Sequence, residues 1–241
     1  MEQPLEQKQS VTCKPNLTMN YNTGFQLGYP QERFNTAVSQ TSTRRYQLWQ
    51  GSMRLAAGIA LLAMLPIFAC IWVAQKCNDR GPFFFKQSRR GFQGKRFEIY
   101  KIRTMRVGSE KATALGTQLS NRQVTSLGRI LRKLKIDEAP QLFNILRGDM
   151  AIVGPRPIPL ALDEELSAHL HGFDSRYSTM PGLTSLGQIC IDDNALGDGM
   201  LHDWKLRFEG ELHYIRNQSI SYDLLIISMT SCYIIKKLLN R

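Results

Sequence analysis

This chain has little from which to build a metal or disulfide framework. Its five cysteines, Cys13, Cys70, Cys77, Cys190 and Cys232, are odd in number and scattered, with no C-x-x-C pair. That excludes a disulfide scaffold and a zinc site, and it fits a reducing compartment. The four histidines, His169, His171, His202 and His213, show no metal-ligand spacing. Asp192, Asp193 and Asp198 lie in a stretch after Pro181-Gly182, but without the ligand spacing of a calcium loop, so this stretch reads as a surface loop. Residues 1–48 lack a sustained apolar period and read as a polar, flexible extension. They also lack the apolar core after a basic start that a signal peptide needs. Acids are scarce too: 20 Asp and Glu against 31 Lys and Arg give a net charge of +11.

The charge is unevenly spread. Between Arg80 and Arg156 there are 17 Lys and Arg against five acids, so one block carries the basic character. Such a block attracts polyanions: nucleic acid, an anionic membrane face or a phosphorylated small molecule. No nucleic-acid fold signature accompanies it, and none is expected as a partner. At 241 residues the chain has room for one ordinary domain with appendages.

Leu55 to Ala74, LAAGIALLAMLPIFACIWVA, is an uncharged run of 20 residues, long enough to cross the hydrocarbon layer as a helix. Pro66 interrupts it past its middle, removing a helix hydrogen bond and bending the axis. Both flanks are basic, with Arg44, Arg45 and Arg54 before it and Lys76, Arg80, Lys86, Arg89 and Arg90 after. Basic flanks prefer the cytoplasmic side. Two topologies follow: a single spanning helix, or a re-entrant hairpin that turns near Pro66 and leaves by the face it entered. The flanks and the proline favour the hairpin.

Beyond it, Phe83–Phe85 and Phe97–Ile102 flank a Gly91–Gly94 turn and predict a β-hairpin. Lys101 and Arg103 fall on one face of its second strand and are candidate phosphate contacts. Residues 107–124 read as a loop. In Thr125–Pro157, TSLGRILRKLKIDEAPQLFNILRGDMAIVGPRP, Leu127, Ile130, Leu131 and Leu134 take one face of a helix that Thr125 or Ser126 caps. The acid pair Asp137-Glu138 then precedes a second helical pattern, with Pro140 in its first turn. Arg156 stands on a stiff Pro-Arg-Pro backbone. Two carboxylates among fixed cations suit a phosphate-bearing substrate handled with a divalent metal. Helices are expected over Leu160–His171, Trp204–Arg216 and Tyr222–Leu239, the last lying in the membrane interface or on the core.

The Pro-broken apolar segment, GPFFFKQ…RRG…F.IYKIRTM, the Thr125–Pro157 string, PGLTSLGQ and YIRNQSISYDL follow one another in an order that resembles the monotopic polyprenyl-phosphate phosphoglycosyl transferases, the bacterial sugar transferase family. The resemblance covers about Leu55 to Leu239. It implies transfer of a sugar-1-phosphate from a UDP-sugar to undecaprenyl phosphate with release of UMP, on the cytoplasmic face of a bacterial inner membrane. It further implies that Asp137 is the nucleophile, that Glu138 helps hold Mg²⁺, and that Arg132 and Arg156 bind phosphate. Glu211 falls where the family usually has an Asp. The chain departs from the pattern at Ala139, at Leu65 before the kink proline, and after PGLTSLGQ, where ICIDDNALGDG carries no Arg.

The expected fold is mainly α with a small β-hairpin (α+β). Residues 1–48 form the extension, 49–76 the re-entrant membrane helix-hairpin, and 77–241 a compact cytosolic catalytic domain with interfacial helices. A homo-oligomer is carried as a further candidate partner. The competing reading is a membrane-tethered basic binding or scaffolding module without transferase activity.

Overall fold

Helix α1, Arg44–Asn78, fixes the frame of the molecule in the computed structural model, which describes residues 11–13, 17–19, 44–78, 81–109, 123–190 and 200–239. α1 is a single helix that continues through Pro66, where the sequence predicts a break between two helices. It also begins at Arg44, inside the stretch expected to be extension. Its buried positions recur every three or four residues: Tyr46, Trp49, Met53, Ala57, Leu61, Met64, Phe68, Ile71 and Gln75 are buried or half-buried. That is the spacing of one helical stripe, and it lies on the rest of the protein along the whole helix. Around the stripe, Leu48, Leu55, Ile59, Leu62, Leu65, Ile67, Trp72 and Val73 are exposed. A helix that is apolar on its uncovered faces as well suits lipid better than water. By length and composition α1 can cross a membrane.

Preceding it, β1 (Val11–Cys13) and β2 (Leu17–Met19) pair antiparallel within the expected extension. The predicted hairpin is present as β3 (Phe84–Arg90) and β4 (Arg96–Ile102), antiparallel in the register Phe85↔Lys101, Gln87↔Ile99 and Arg89↔Phe97. Helix α2 (Ser126–Lys133) follows, capped by Thr125, whose hydroxyl accepts from the Gly128 amide at 2.9 Å. Its four apolar residues do not share one fate. Leu131 is buried and Leu127 half-buried, whereas Ile130 and Leu134 are exposed. A 3-10 turn, Ile136–Glu138, leads into α3 (Gln141–Arg147).

The second half carries a feature that periodicity did not reveal. β5 (Ala151–Val153) pairs parallel with β6 (Gly182–Thr184), a strand inside the stretch expected to be loop. Gly154 and Gly182 let these backbones meet: a Cβ on Gly182 would sit 2.1 Å from the Gly154 nitrogen. Between them run α4 (Leu160–His169) and a 3-10 turn over Phe173–Ser178. Helices α5 (Leu186–Cys190), α6 (Met200–Asn217) and α7 (Ile220–Leu239) complete the domain. Residues 191–199, with Asp192, Asp193 and Asp198, lie outside the described residues, as does 110–122 of the expected loop. The architecture is mainly helical with a small antiparallel hairpin.

Four apolar clusters hold these pieces together. Ala57 of α1 joins Ile99, Ile145 and Met150; Phe68 and Ile71 join Ile102 and Leu131. α4 packs on α6 through Leu162, Leu166, Phe173 and Phe208. β5, α5, α6 and α7 meet through Val153, Leu186, Tyr214, Ile215 and Ile226. Leu224, Leu225, Ile235 and Leu239 leave an apolar exposed face on α7.

The two ends of α1 are pinned by polar contacts. At its start, Tyr46 Oη and Trp49 Nε1 each donate to Asp223 Oδ2 at 3.0 Å, and Tyr214 Oη donates to Asp223 Oδ1 at 2.8 Å. Gln218 Nε2 donates to both tyrosine oxygens, at 2.7 and 3.0 Å. At its end, Gln75 Nε2 donates to the Arg103 carbonyl at 2.7 Å. Asp223 is thus the common acceptor for three donors from two distant helices. Replacing Asp223 by Ala strands the Tyr46 and Trp49 donors, while Tyr214 Oη keeps the Val153 carbonyl at 3.2 Å, and is expected to cost about 2–4 kcal/mol. In purified protein this should lower the melting midpoint by roughly 5–10 °C. An unchanged midpoint would contradict the role given to Asp223.

Candidate active site

The site begins with a close approach. Gly128 lies so near the Thr104 carbonyl that a Cβ there would come within 2.1 Å of its oxygen, and the Thr125 amide donates to that oxygen at 3.0 Å. This seats α2 on the segment after β4. Arg132, one turn along, then donates from Nε to Thr104 Oγ1 at 2.9 Å. Lys135 takes the left-handed conformation with φ 57°. In a residue with a Cβ that conformation is uncommon. It separates α2 from the 3-10 turn and swings Asp137 and Glu138 toward the hairpin.

Lys101 Nζ donates to Glu138 Oε1 at 3.0 Å, and Arg156 NH2 donates to the same oxygen at 2.7 Å. Asp137 is buried, and its Oδ1 has no hydrogen-bond donor. The adjacent carboxylates therefore have opposite environments. Burial opposes charge on Glu138, but Arg156, Lys101 and Lys135 together hold it well below the usual carboxylate range. Asp137 is raised, first by burial and then by the Glu138 charge, against the pull of Lys101, Arg132 and Lys135. Lys101 and Arg132 are both lowered by burial, with the two acids opposing the shift.

Long-range contacts that the sequence did not announce aim these groups. Asn144 is fully buried on α3. Its Oδ1 accepts from the Tyr100 amide at 3.2 Å, and its Nδ2 donates to the Glu98 carbonyl at 2.7 Å. This fastens α3 to β4 on either side of Ile99 and holds the neighbouring Lys101 against Glu138. Arg156 is set by β5 and β6 together with a buried ion pair: Glu211 Oε1 accepts from the Arg156 amide at 3.1 Å and from Arg176 NH2 at 3.0 Å. Arg176 NH2 also donates to the Arg156 carbonyl at 2.6 Å. Burial raises Glu211, while Arg176 and the Arg156 amide oppose the rise. An Asn inside an apolar helical pattern and a second arginine near Phe173 were the available signals for Asn144 and Arg176.

Of the residues singled out from sequence, Asp137, Glu138, Lys101, Arg132 and Arg156 come together. Glu211 stands behind Arg156 and grips its backbone. Arg103 is directed elsewhere: its Nε donates to the Pro82 carbonyl at 2.7 Å, a contact that ties the start of the hairpin to its end. Pro66 lies on α1, between the Leu61–Met64 and Phe68–Ile71 contacts.

The donor set fits a hard divalent cation. Two adjacent carboxylates are present, and one of their oxygens is buried without a partner. Among the described residues no group of three or more His, Cys, Asp and Glu gathers. Magnesium commonly takes only one or two protein carboxylates along with substrate phosphates.

A helix long and apolar enough to cross a membrane, docked on a small α+β domain with an acid pair set among basic side chains, fits a class of membrane-associated proteins that handle anionic groups. The chain belongs to the bacterial sugar transferase family, whose pattern it matches over residues 50–237. It is 36% identical over 176 residues to the UDP-glucose:undecaprenyl-phosphate glucose-1-phosphate transferase of Escherichia coli K12, covering 72% of this chain and 37% of that protein. The protein of the same name from Caulobacter vibrioides is 36% identical over 178 residues, covering 73% and 65%. The UDP-N-acetylgalactosamine-undecaprenyl-phosphate N-acetylgalactosaminephosphotransferase of Aeromonas hydrophila is 35% identical over 176 residues, covering 73% and 41%. The chain thus spans between about a third and two thirds of the length of these relatives.

Proposed function

We propose that the protein transfers a sugar-1-phosphate from a UDP-sugar to undecaprenyl phosphate and releases UMP, through a phosphosugar carried on Asp137. The observation that carries this reading is the buried, unpartnered Asp137 Oδ1 beside a cluster of cations. The names of the relatives supply the donor and acceptor classes.

A carboxylate attacks phosphorus poorly while the phosphate charge repels it. Lys101, Arg132 and Arg156 lower that repulsion, and the planar guanidinium of each arginine matches phosphate geometry. In the first step an Asp137 oxygen bonds to the phosphorus attached to the sugar, and the bond from that phosphorus to the UMP oxygen breaks. In the second, an oxygen of undecaprenyl phosphate attacks the same phosphorus and the Asp137 carboxylate leaves, regenerated. No net proton transfer is needed. Glu138 stays ionised throughout, because its neighbours hold its charge. Glu138, with Asp137 beside it, would hold Mg²⁺, which when bound screens the charge of the diphosphate.

We also propose that both ends of α1 lie on the cytoplasmic face of the inner membrane. Tyr46 and Gln75 are roughly 40 Å apart along a helix rising about 1.5 Å per residue, yet both bond to the same domain. A helix crossing a hydrocarbon layer of about 30 Å would carry the polar Asp223 network to the far side. A helix sunk into one leaflet, its outer faces in lipid, keeps the domain whole on one side. The acceptor phosphate lies at that same surface.

Asp137→Asn should abolish UMP release from UDP-sugars in membranes supplied with undecaprenyl phosphate, and excess chelator should stop the wild-type reaction. Undiminished turnover of the variant would remove Asp137 as nucleophile, and turnover in chelator would remove the metal. For the topology, single cysteines placed at residue 40 and at residue 80 of a cysteine-free variant should both be shielded from an impermeant thiol reagent in intact cells. Labelling at residue 40 alone would establish a spanning helix.

A further inference from the structure

Arg89 has no part in the assignments above, yet its surroundings are those of a ligand-binding group. Residues paired across a hairpin point to the same side of it. The register Phe85↔Lys101, Gln87↔Ile99, Arg89↔Phe97 therefore puts Arg89 on the face from which Lys101 reaches Glu138. Its backbone also bridges to Pro159, three residues beyond Arg156. Arg89 is thus lodged between the inner face of the hairpin and the Pro-Arg-Pro loop.

Arg89 is 6% exposed. Its NH2 donates to Gln87 Oε1 at 2.5 Å, while Nε and NH1 are buried with no acceptor. Arginine is seldom buried without a carboxylate, because the desolvated charge and the unused N–H groups both oppose folding. Gln87 is neutral and answers only one of the three nitrogens. Burial and then the nearby Arg156 lower Arg89 to about 9, with Glu138 acting the other way. An anion between Arg89 and Arg156 would relieve both effects.

We propose that Arg89 is a phosphate-binding residue of the active site, its Nε and NH1 donating to oxygens of a phosphoryl group held against Asp137 and Arg156. Naming that group rests on the transferase reading. The shared chemistry, a phosphate oxygen anion, is offered both by the diphosphate of the UDP-sugar and by undecaprenyl phosphate. A purely structural Arg89 would instead serve only to hold Gln87 and the β3 backbone.

The test uses the full chain purified in detergent, as wild type, Arg89→Lys and Arg89→Gln. Initial rates of UMP release are measured with each substrate varied in turn, alongside melting midpoints. Arg89→Gln should raise KM at least tenfold for the substrate whose phosphate it touches and leave the other KM within twofold. Arg89→Lys, which keeps the charge, should recover part of the loss, with melting midpoints close to wild type. A rise confined to the UDP-sugar assigns the donor diphosphate; one confined to undecaprenyl phosphate assigns the acceptor. Both KM and kcat within twofold of wild type in Arg89→Gln would overturn the inference. If that variant gives no melting transition, Arg89→Lys decides: a fivefold rise in one KM supports the role, and unchanged constants overturn it. A second arm is independent of turnover and measures inorganic pyrophosphate binding by calorimetry. Weaker binding to the variants than to wild type supports the role even where wild type releases no UMP, an outcome that would sink the transferase reading alone. Where neither KM rises, equal affinity or no binding to wild type overturns the role of Arg89.

Discussion

Everything in the site depends on how Glu138 is neutralised. Its Oε1 takes one cation from the hairpin, Lys101, and one from the Pro-Arg-Pro loop, Arg156, at 3.0 and 2.7 Å. These belong to elements distant in sequence, so the carboxylate is also the tie that brings hairpin and loop to the same place. Breaking such a pair would leave a buried charge uncompensated, which is costly. With Glu138 satisfied, Asp137 is left as the carboxylate whose buried oxygen has no donor. The two acids are neighbours in the chain, and geometry alone divides their roles.

That division is bought with supporting structure of a consistent kind. Each charged group is aimed by a polar contact to backbone or to a buried partner: Arg132 by Thr104, Lys101 by Asn144 through β4, Arg156 by Glu211 and Arg176. Side chains held in this way lose little freedom when an anionic ligand arrives, which is the physical content of preorganisation. The left-handed Lys135 belongs to the same scheme, since without the turn it makes the acid pair would continue the line of α2.

Much of this was legible in the sequence, for reasons that differ by element. The hairpin, the Thr125 cap and helices α4, α6 and α7 followed from local signals (alternation around a glycine turn, a hydroxyl before an apolar period, runs at helical spacing), whereas α5, Leu186–Cys190, lies in a stretch read as loop. Asp137, Glu138, Arg132 and Arg156 followed from charge pattern and from family resemblance. What escaped was set by contacts between distant residues. The β5–β6 pair is only three residues long on each side and parallel, so neither strand has a turn or a period to announce it. The role of Asp223 depends on Tyr46 and Trp49, more than 170 residues away in the chain, converging on it with Tyr214. Arg103 alternates with Lys101 in the chain, but β4 ends at Ile102, so strand alternation no longer governs where Arg103 points. Pro66 predicted a break, whereas the stripe of contacts from Tyr46 to Gln75 carries one helix past it.

The central claim is that Asp137 carries the sugar phosphate. It is tested most directly by incubating the purified protein with a UDP-sugar in the absence of lipid acceptor, quenching, and weighing the intact chain and its peptides. The expected result is a mass increase of one sugar phosphate on the peptide containing Asp137, lost on addition of undecaprenyl phosphate and absent from Asp137→Asn. An active enzyme whose chain never gains that mass, or gains it at another residue, would contradict it.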